Sequence, residues 1–258
     1  MKTWITLLAI TMAMVSTGVS AKNLKVCVDD EWYPYTYVQD DKAVGIHVDV
    51  VKKAFEAIGY TADLLPLPWN RCLKMGEDGV VDAVMSASYK DSRAVFAHYP
   101  EDAGNTKYSE GRIGQVEYIL VTPKSTTYEF DGNWSTIPQP VMVGGLGSAI
   151  TADLKEEGLD LIIDDSKIAG LRLLMKGRVG SMTLVPLRAK NFNTVGEFKG
   201  KLKIHKIPLK SKSYHIIFSK KGSATREDRQ AIWSSLSRIR KDEDFMLELL
   251  NQHENRSP

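Results

Sequence analysis

The residues best suited by type and spacing to do chemistry lie in the run Asp82-Ala83-Val84-Met85-Ser86-Ala87-Ser88-Tyr89-Lys90-Asp91-Ser92-Arg93. Apolar or small residues follow Asp82, so the run opens as a short buried strand. It then turns over Ser86 and Ser88 and reaches Arg93. A strand that ends in a serine-rich turn directs backbone N–H groups and hydroxyls at whatever lies beyond it. An arginine just past the turn adds a planar, permanently charged fork that matches a carboxylate. Open α/β sheets bind ligands at the carboxyl edge of their parallel strands, so the arrangement suits the grip of a small anion. The same residues also fit an exposed arginine on a helix after a loop.

A second anion-binding pattern occurs at Gly144-Gly145-Leu146-Gly147-Ser148. Gly147 and Ser148 open a helix after a strand, leaving N–H groups at the positive end of the helix dipole. An ordinary tight turn fits equally well. The cluster lacks the lysine of a P-loop, and a dinucleotide fingerprint begun at Gly145 and Gly147 would need a glycine where Ile150 stands. The aromatics of Trp32-Tyr33-Pro34-Tyr35 are costly to expose and line either a core edge or a pocket. His47, His98, His205, His215 and His253 show no metal-ligand spacing, so no metal site is expected. No Gly-x-Ser-x-Gly elbow is present, and Ser86 and Ser88 have no sequence-adjacent base. Asp164 and Asp165 follow a strand and suit the cap of the next helix better than acid–base work. Catalysis receives no positive signal.

The frame that must position these residues begins after an export signal. Residues 1–21 carry one lysine, an apolar core over 5–15 and the small-residue cleavage pattern Val19-Ser20-Ala21. That core is shorter than the about 20 residues needed to span a bilayer. The mature chain, from Lys22, is long enough for one large domain or two lobes of about 100 residues each. Its charge is nearly balanced, 34 basic against 32 acidic residues in the whole chain, which argues against a nucleic-acid partner. Cys27 and Cys72 would enter an oxidising compartment, where they form one disulfide or stay as two buried thiols.

Residues 24–28 alternate as a strand. Apolar residues at 50, 51, 54, 55 and 58 predict a helix with Asp49 as N-cap and Gly59 as its stop. Residues 61–65 form a strand ended by Pro66, a helix follows over about 69–77, and the strand after Asp82 comes next. This alternation is that of a parallel sheet with helices on both faces. A polar loop over 98–112 and a strand over 116–122 lead to a second cycle. Strands there cover 141–143, 159–163 and 179–185, and helices cover 149–157 and 166–176. Strands over 202–207 and 214–219 and one or two helices across 226–251 complete an α/β fold of two similar lobes.

In this order, Leu24-Lys25-Val26-Cys27-Val28-Asp29, Trp32-Tyr33-Pro34-Tyr35, Gly45-Ile46-His47-Val48-Asp49-Val50, Gly79-Val80-Val81-Asp82-Ala83, Ser86 to Arg93, Gly147-Ser148 and Gly177-Arg178-Val179 resemble the periplasmic solute-binding proteins of family 3. These are the receptors of polar-amino-acid ABC importers, and the resemblance covers nearly the whole mature chain. It implies a periplasmic, monomeric protein of two Rossmann-like lobes with central mixed sheets joined by two hinge strands. Lobe one would hold residues 22–117 and 213–258, and lobe two residues 118–212. The lobes would close on a small carboxylate-bearing solute, an amino acid or a related compound. The partner would be an ABC permease or a membrane sensor, and no cofactor is implied.

The resemblance also assigns roles. Arg93 holds the ligand carboxylate with Ser86 and Ser88, Trp32 stacks on the ligand beside Tyr35, Gly147 and Ser148 add N–H donors, and Asp29 meets a ligand cation. Trp69-Asn70-Arg71-Cys72 resembles one branch of the family, in which this helix cysteine accompanies one in the first strand; a Cys27–Cys72 disulfide is thereby implied. Arg71, which follows Trp69 beyond a strand end, is the competing anchor for the anion. The chain departs from the family's pattern where an aspartate for the ligand amino group would fall, near Val185. Gly180 and Lys90 likewise replace an acid and a threonine. A sensory co-receptor and a dehydratase-like enzyme on the same fold are the alternatives.

Overall fold

The alternating residues at the start form strand β1 (Lys22–Asp29), which buries Leu24, Val26, Cys27 and Val28 completely. The computed structural model describes residues 22–104, 107–144 and 148–254, so the expected export signal lies outside the described residues. After β1 comes a small three-stranded sheet of β2 (Glu31–Trp32), β3 (Thr36–Gln39) and β4 (Lys42–Val44).

Helix α1 (Ile46–Glu56) starts earlier than its apolar spacing suggests, with Gly45 rather than Asp49 as N-cap. A tight approach explains the difference. A Cβ on Gly45, whose φ is +129°, would lie 2.4 Å from the Tyr35 carbonyl oxygen. The Ile46 and His47 N–H groups donate to the carbonyls of Pro34 and Tyr35 at 2.9 and 3.0 Å. Backbone therefore satisfies the helix's first donors. Asp49, one turn in, instead accepts from His253 Nε2 at 3.0 Å.

Strand β5 (Tyr60–Leu67) continues through Pro66 instead of ending there. It is the sheet's edge strand, where a proline without an N–H is tolerated. Then follow α2 (Trp69–Asp78), β6 (Ala83–Ser88), the single turn α3 (Asp91–Ala94), β7 (Ala97–His98) and β8 (Gly114–Pro123). The second cycle contains β9 (Val141–Val143), α4 (Ala149–Glu156), β10 (Leu161–Ile163), α5 (Lys167–Met175), β11 (Ser181–Leu184) and α6 (Pro186–Thr194). Strand β12 (Leu202–Ser219) and helices α7 (Arg226–Arg240) and α8 (Glu243–Glu254) close the chain. Helix α6 has no counterpart in the sequence reading; Pro186 opens it, where the missing N–H is harmless.

The main sheet runs β10-β9-β11-β8-β12-β6-β1-β5, with β7 paired to β12. β1 is parallel to both β5 and β6, and β9 is parallel to both β10 and β11. Between these two parallel ends lies the antiparallel pair β8 and β12. Two separate strands were expected over 202–207 and 214–219, but they are one strand of 18 residues. Its polar middle breaks the apolar alternation, yet Lys210, Ser211, Lys212 and Ser213 pair with Tyr118, Glu117, Val116 and Gln115 of β8. Register shifts on either side of Pro208 interrupt the ladder between the two strands.

Each parallel end has its own core. One gathers Leu24, Val26, Val48, Phe55, Met85 and Phe218 under α1 and α7. The other packs Val141, Val143, Ile150 and Leu154 on one face and Met142, Leu171, Leu174 and Met182 on the opposite one. Cys27 and Cys72 form a disulfide that ties β1 to α2, buried among Val81, Val84, Ala87 and Ile217.

The bridge closes a loop with a sequence separation of 45. In the chain-entropy account such a loop contributes about 3–4 kcal/mol. The double variant Cys27→Ala/Cys72→Ala is expected to lose stability of that order in denaturant unfolding. A free-thiol assay on denatured, unreduced wild-type protein should count none. Two thiols, or unchanged stability of the variant, would contradict the bridge.

Candidate functional site

The carboxyl ends of β1, β6 and β11 and the N-termini of α2, α4, α5 and α6 converge on one cavity of about 380 Å³. That size suits a small metabolite. Its floor is the crossing pair: Tyr118 of β8 and Tyr214 of β12, with their hydroxyls 2.7 Å apart. Burial raises both phenols well above their ordinary pKa, Tyr214 to about 12, so both keep their protons. The Trp32 ring rests 4.7 Å from the ring of Tyr214.

Ser86 and Ser88 come from the last turns of β6. Ser86 has a φ of +66°, the left-handed region, inside a strand. The neighbouring β12 shifts register opposite it, between His215 and Ile217. Such a conformation in a non-glycine residue costs of order 1–3 kcal/mol and collects at functional positions. The Ser86 hydroxyl is held at 3.0 Å by Nδ1 of His47. Burial pushes the His47 pKa down to about 3, so the imidazole is neutral and serves as a hydrogen-bonding support.

Arg93, in α3, is 4% exposed. Its Nη1 donates to the Ser88 carbonyl at 2.9 Å and to the Ser88 hydroxyl at 3.4 Å. The guanidinium lies 5.0 Å from the ring of Trp69, the first residue of α2. A cation sandwiched against an aromatic face and lining a cavity is poised for a planar anion. On the acidic wall, burial raises the Asp29 pKa to about 6, against a hydrogen bond from the Glu31 N–H.

The far wall belongs to the second parallel end. Ser148 caps α4 by accepting from the Thr151 N–H, and its carbonyl accepts from Lys90 Nζ at 3.4 Å. Lys167, the first residue of α5, lines the cavity beside Thr183, Leu184 and Val185. The cap of α5 is Ser166 rather than Asp164 or Asp165, because its hydroxyl reaches the Ala169 N–H; Asp164 accepts from Ser166 N–H instead. Arg188 of α6 stacks 4.9 Å from the ring of Tyr33, and Asn191 Nδ2 donates to the Tyr33 hydroxyl at 3.1 Å.

Of the residues singled out by sequence, Asp29, Trp32, Trp69, Ser86, Ser88, Arg93 and Ser148 line this cavity. Gly147 lies outside the described residues. Tyr35 does not reach the cavity; it packs behind Trp32 at 4.7 Å and against His47 at 4.8 Å. Arg71 does not either. It is exposed on α2, two residues and so about 200° around the helix from Trp69. Sequence reasoning passed over Tyr118, Lys167, Arg188 and Tyr214. A strand end followed by a Ser cap marks Lys167, and Val185-Pro186 marks the helix that carries Arg188. Nothing local marks the two tyrosines. Among the described residues no His, Cys, Asp and Glu group could hold a metal, and no helix is long and apolar enough to cross a membrane.

Residues 24–102 match the family described as bacterial extracellular solute-binding proteins, family 3. No curated protein sequence matches the chain. Among solved structures, it is similar to the amino acid ABC transporter substrate-binding protein AbpA from Streptococcus pneumoniae bound to L-arginine. Identity is 17%, with 90% of this chain and 94% of that one covered and a TM-score of 0.68. A histidine kinase sensor domain with similarity to periplasmic binding proteins is 15% identical over 90% of this chain and 96% of its own, with a TM-score of 0.71. An ancestral amino acid-binding protein, AncCDT-1, a precursor of cyclohexadienyl dehydratase, is 14% identical over 89% and 94%, with a TM-score of 0.67. The fold is therefore that of the two-lobed periplasmic binding proteins of type II.

The raised Asp29 pKa has a measurable sign. The folded form holds this proton more tightly than the unfolded chain, so folding loses stability as pH rises from about 4 through about 6. Asp29→Asn removes that loss. Relative to wild type, the variant should gain about 1–3 kcal/mol between pH 4.5 and pH 7.5 in denaturant melts. Parallel pH profiles for the two proteins would show that Asp29 titrates normally.

Proposed function

We propose that this chain, carrying a family-3 match over residues 24–102, is a periplasmic substrate-binding protein that captures a small carboxylate-bearing solute for an ABC importer. The observation that carries the reading is Arg93: a buried guanidinium backed by Trp69 and Ser88, lining a cavity between the two ends of the sheet. Residues 22–117 with 213–258 act as one lobe and residues 118–212 as the other. The boundaries at 117/118 and 212/213 fall within β8 and β12, the two strands that cross between them. A ligand that touches Ser86, Ser88 and Arg93 on one side and Ser148 on the other binds the closed form better than the open one, and so draws the lobes together. Trp32 and Trp69 supply its apolar contacts. Tyr35 supports Trp32 from behind, and Asp29 meets a polar or cationic group. The ligand is an amino acid or a related compound. The likeness to a sensor domain favours, as a second reading, delivery of the closed form to a membrane sensor rather than to a permease.

The test begins with a thermal-shift screen of amino acids and small carboxylic acids and continues with calorimetric titration of the best one. Truncating one partner of a buried charged pair costs about 2–5 kcal/mol, so Arg93→Ala should weaken binding by roughly 30-fold to several thousand-fold. Arg93→Lys should recover part of this, since an ammonium lacks the planar fork. Arg71→Ala, on the exposed face of α2, should leave affinity unchanged. Wild-type binding by Arg93→Ala, with loss in Arg71→Ala, would move the anion to the wrong side of the helix for this reading.

A further inference from the structure

We infer that the cleft selects carboxylates that carry no ammonium group, and that Lys167 stands where the amine of an amino acid would otherwise be held. The inference rests on the carboxylate-binding reading above and narrows it. An ammonium group taken into a water-poor cleft needs carboxylates around it to offset its lost hydration. Among the described lining residues, the carboxylates are Asp29, Asp30, Glu31 and Asp165. Lys167 lines the same cavity, and its ammonium feels the charges of Asp165, Asp29 and Glu31. The acidic wall thus already holds a cation, supplied by the protein.

The seat of that cation is built into the fold. Lys167 opens α5 directly after the Ser166 cap, and its Nζ donates to the Asp165 carbonyl at 2.9 Å. The head of the side chain lies against the backbone of Gly144, at the end of β9. A Cβ on residue 144 would come within 2.1 Å of Nζ and 2.6 Å of the adjoining carbon. Glycine at 144 therefore makes room for the ammonium. The other end of this wall offers an amine nothing. Val185, the N-cap of α6, presents an apolar side chain to the cavity, and one turn on Arg188 presents a cation. A ligand anchored on Arg93 by its carboxylate consequently meets two fixed cations, Lys167 and Arg188, on the far wall, and an ammonium there would have to compete with Lys167 for Asp165, Asp29 and Glu31. Hydroxyl, keto or second carboxylate groups suit that wall instead.

The experiment compares matched pairs that differ by the amine alone: L-glutamate against pentanedioate, L-leucine against 4-methylpentanoate, and L-phenylalanine against 3-phenylpropanoate. Each is titrated calorimetrically into full-length wild-type protein, Lys167→Met and Gly144→Ala, with melting curves to check folding. In the wild type, the amine-free member of a binding pair should be tighter by at least about tenfold. Lys167→Met exposes the acidic wall and should erase or reverse that preference. Gly144→Ala, which displaces the ammonium without removing a charge, should move it the same way and carries the test if Lys167→Met fails to fold. Tighter binding of the amino acids by wild type, or an unchanged preference in the variants, overturns the inference while leaving the carboxylate reading intact. Failure of every compound to bind wild type overturns both.

Discussion

β8 and β12 lie side by side in antiparallel pairing across the middle of the sheet, and every other element hangs from that pairing. Parallel strands need helical crossovers, so each end of the sheet can grow only as a strand–helix–strand unit with its own core. The crossing pair makes the two units share one floor. Because the strands of each unit point their carboxyl ends toward that floor, Ser86, Ser88 and Asp29 from one unit face Thr183 and Val185 from the other. The cavity is a consequence of topology before any side chain is chosen. Tyr118 and Tyr214, as members of the crossing strands, then close its bottom with bulky phenols that stay protonated.

Burial sets the electrostatics of this space. Asp29 is pushed toward neutrality by the loss of water, and Lys167 and Arg188 feel the same loss in the opposite direction. Among the described residues, Asp29, Lys167 and Arg188 have no close ion pair in the manner of Lys212 with Asp153. They are held apart by backbone and aromatic partners: Asp165 carbonyl for Lys167, Tyr33 and Phe192 for Arg188, Trp69 and Ser88 for Arg93. A cleft furnished this way holds its charges away from water at some expense in stability.

How much of this could be read from the chain depends on distance along it. The strand–turn–arginine run from Asp82 was legible because strand end, serines and arginine follow one another within a dozen residues. The alternation of helices and strands was legible for the same reason. Position on an element was harder. Trp32 and Tyr35 are three residues apart, yet one faces the cavity and the other packs beneath it, because a small hairpin from β2 to β3 folds between them. Trp69 and Arg71 part company through the helical step alone. Asp49 lost the capping role to Gly45 because the Tyr35 carbonyl, ten residues earlier, passes too close for any side chain. Lys167 and Arg188 needed the whole topology, since more than seventy residues separate each from Arg93 along the chain.

Tyr33 is one place where the two units touch through side chains away from the floor. Its hydroxyl donates to the His253 carbonyl of α8 at 3.1 Å and accepts from Asn191 of α6, while Arg188 covers the ring. Parting the two units would break the Asn191 bond and the Arg188 stack but leave the α8 contact whole. A hydrogen bond nets about 1 kcal/mol and an exposed cation–π contact about 0.5–1 kcal/mol. These two contacts thus shift the balance toward the shut arrangement by a factor of order ten relative to a chain that lacks them. On the lobe closure proposed above, a latch of that strength lowers the differential affinity that a solute must supply to hold the cleft closed. It also raises the share of empty protein that is shut, by about the same factor wherever that share is small.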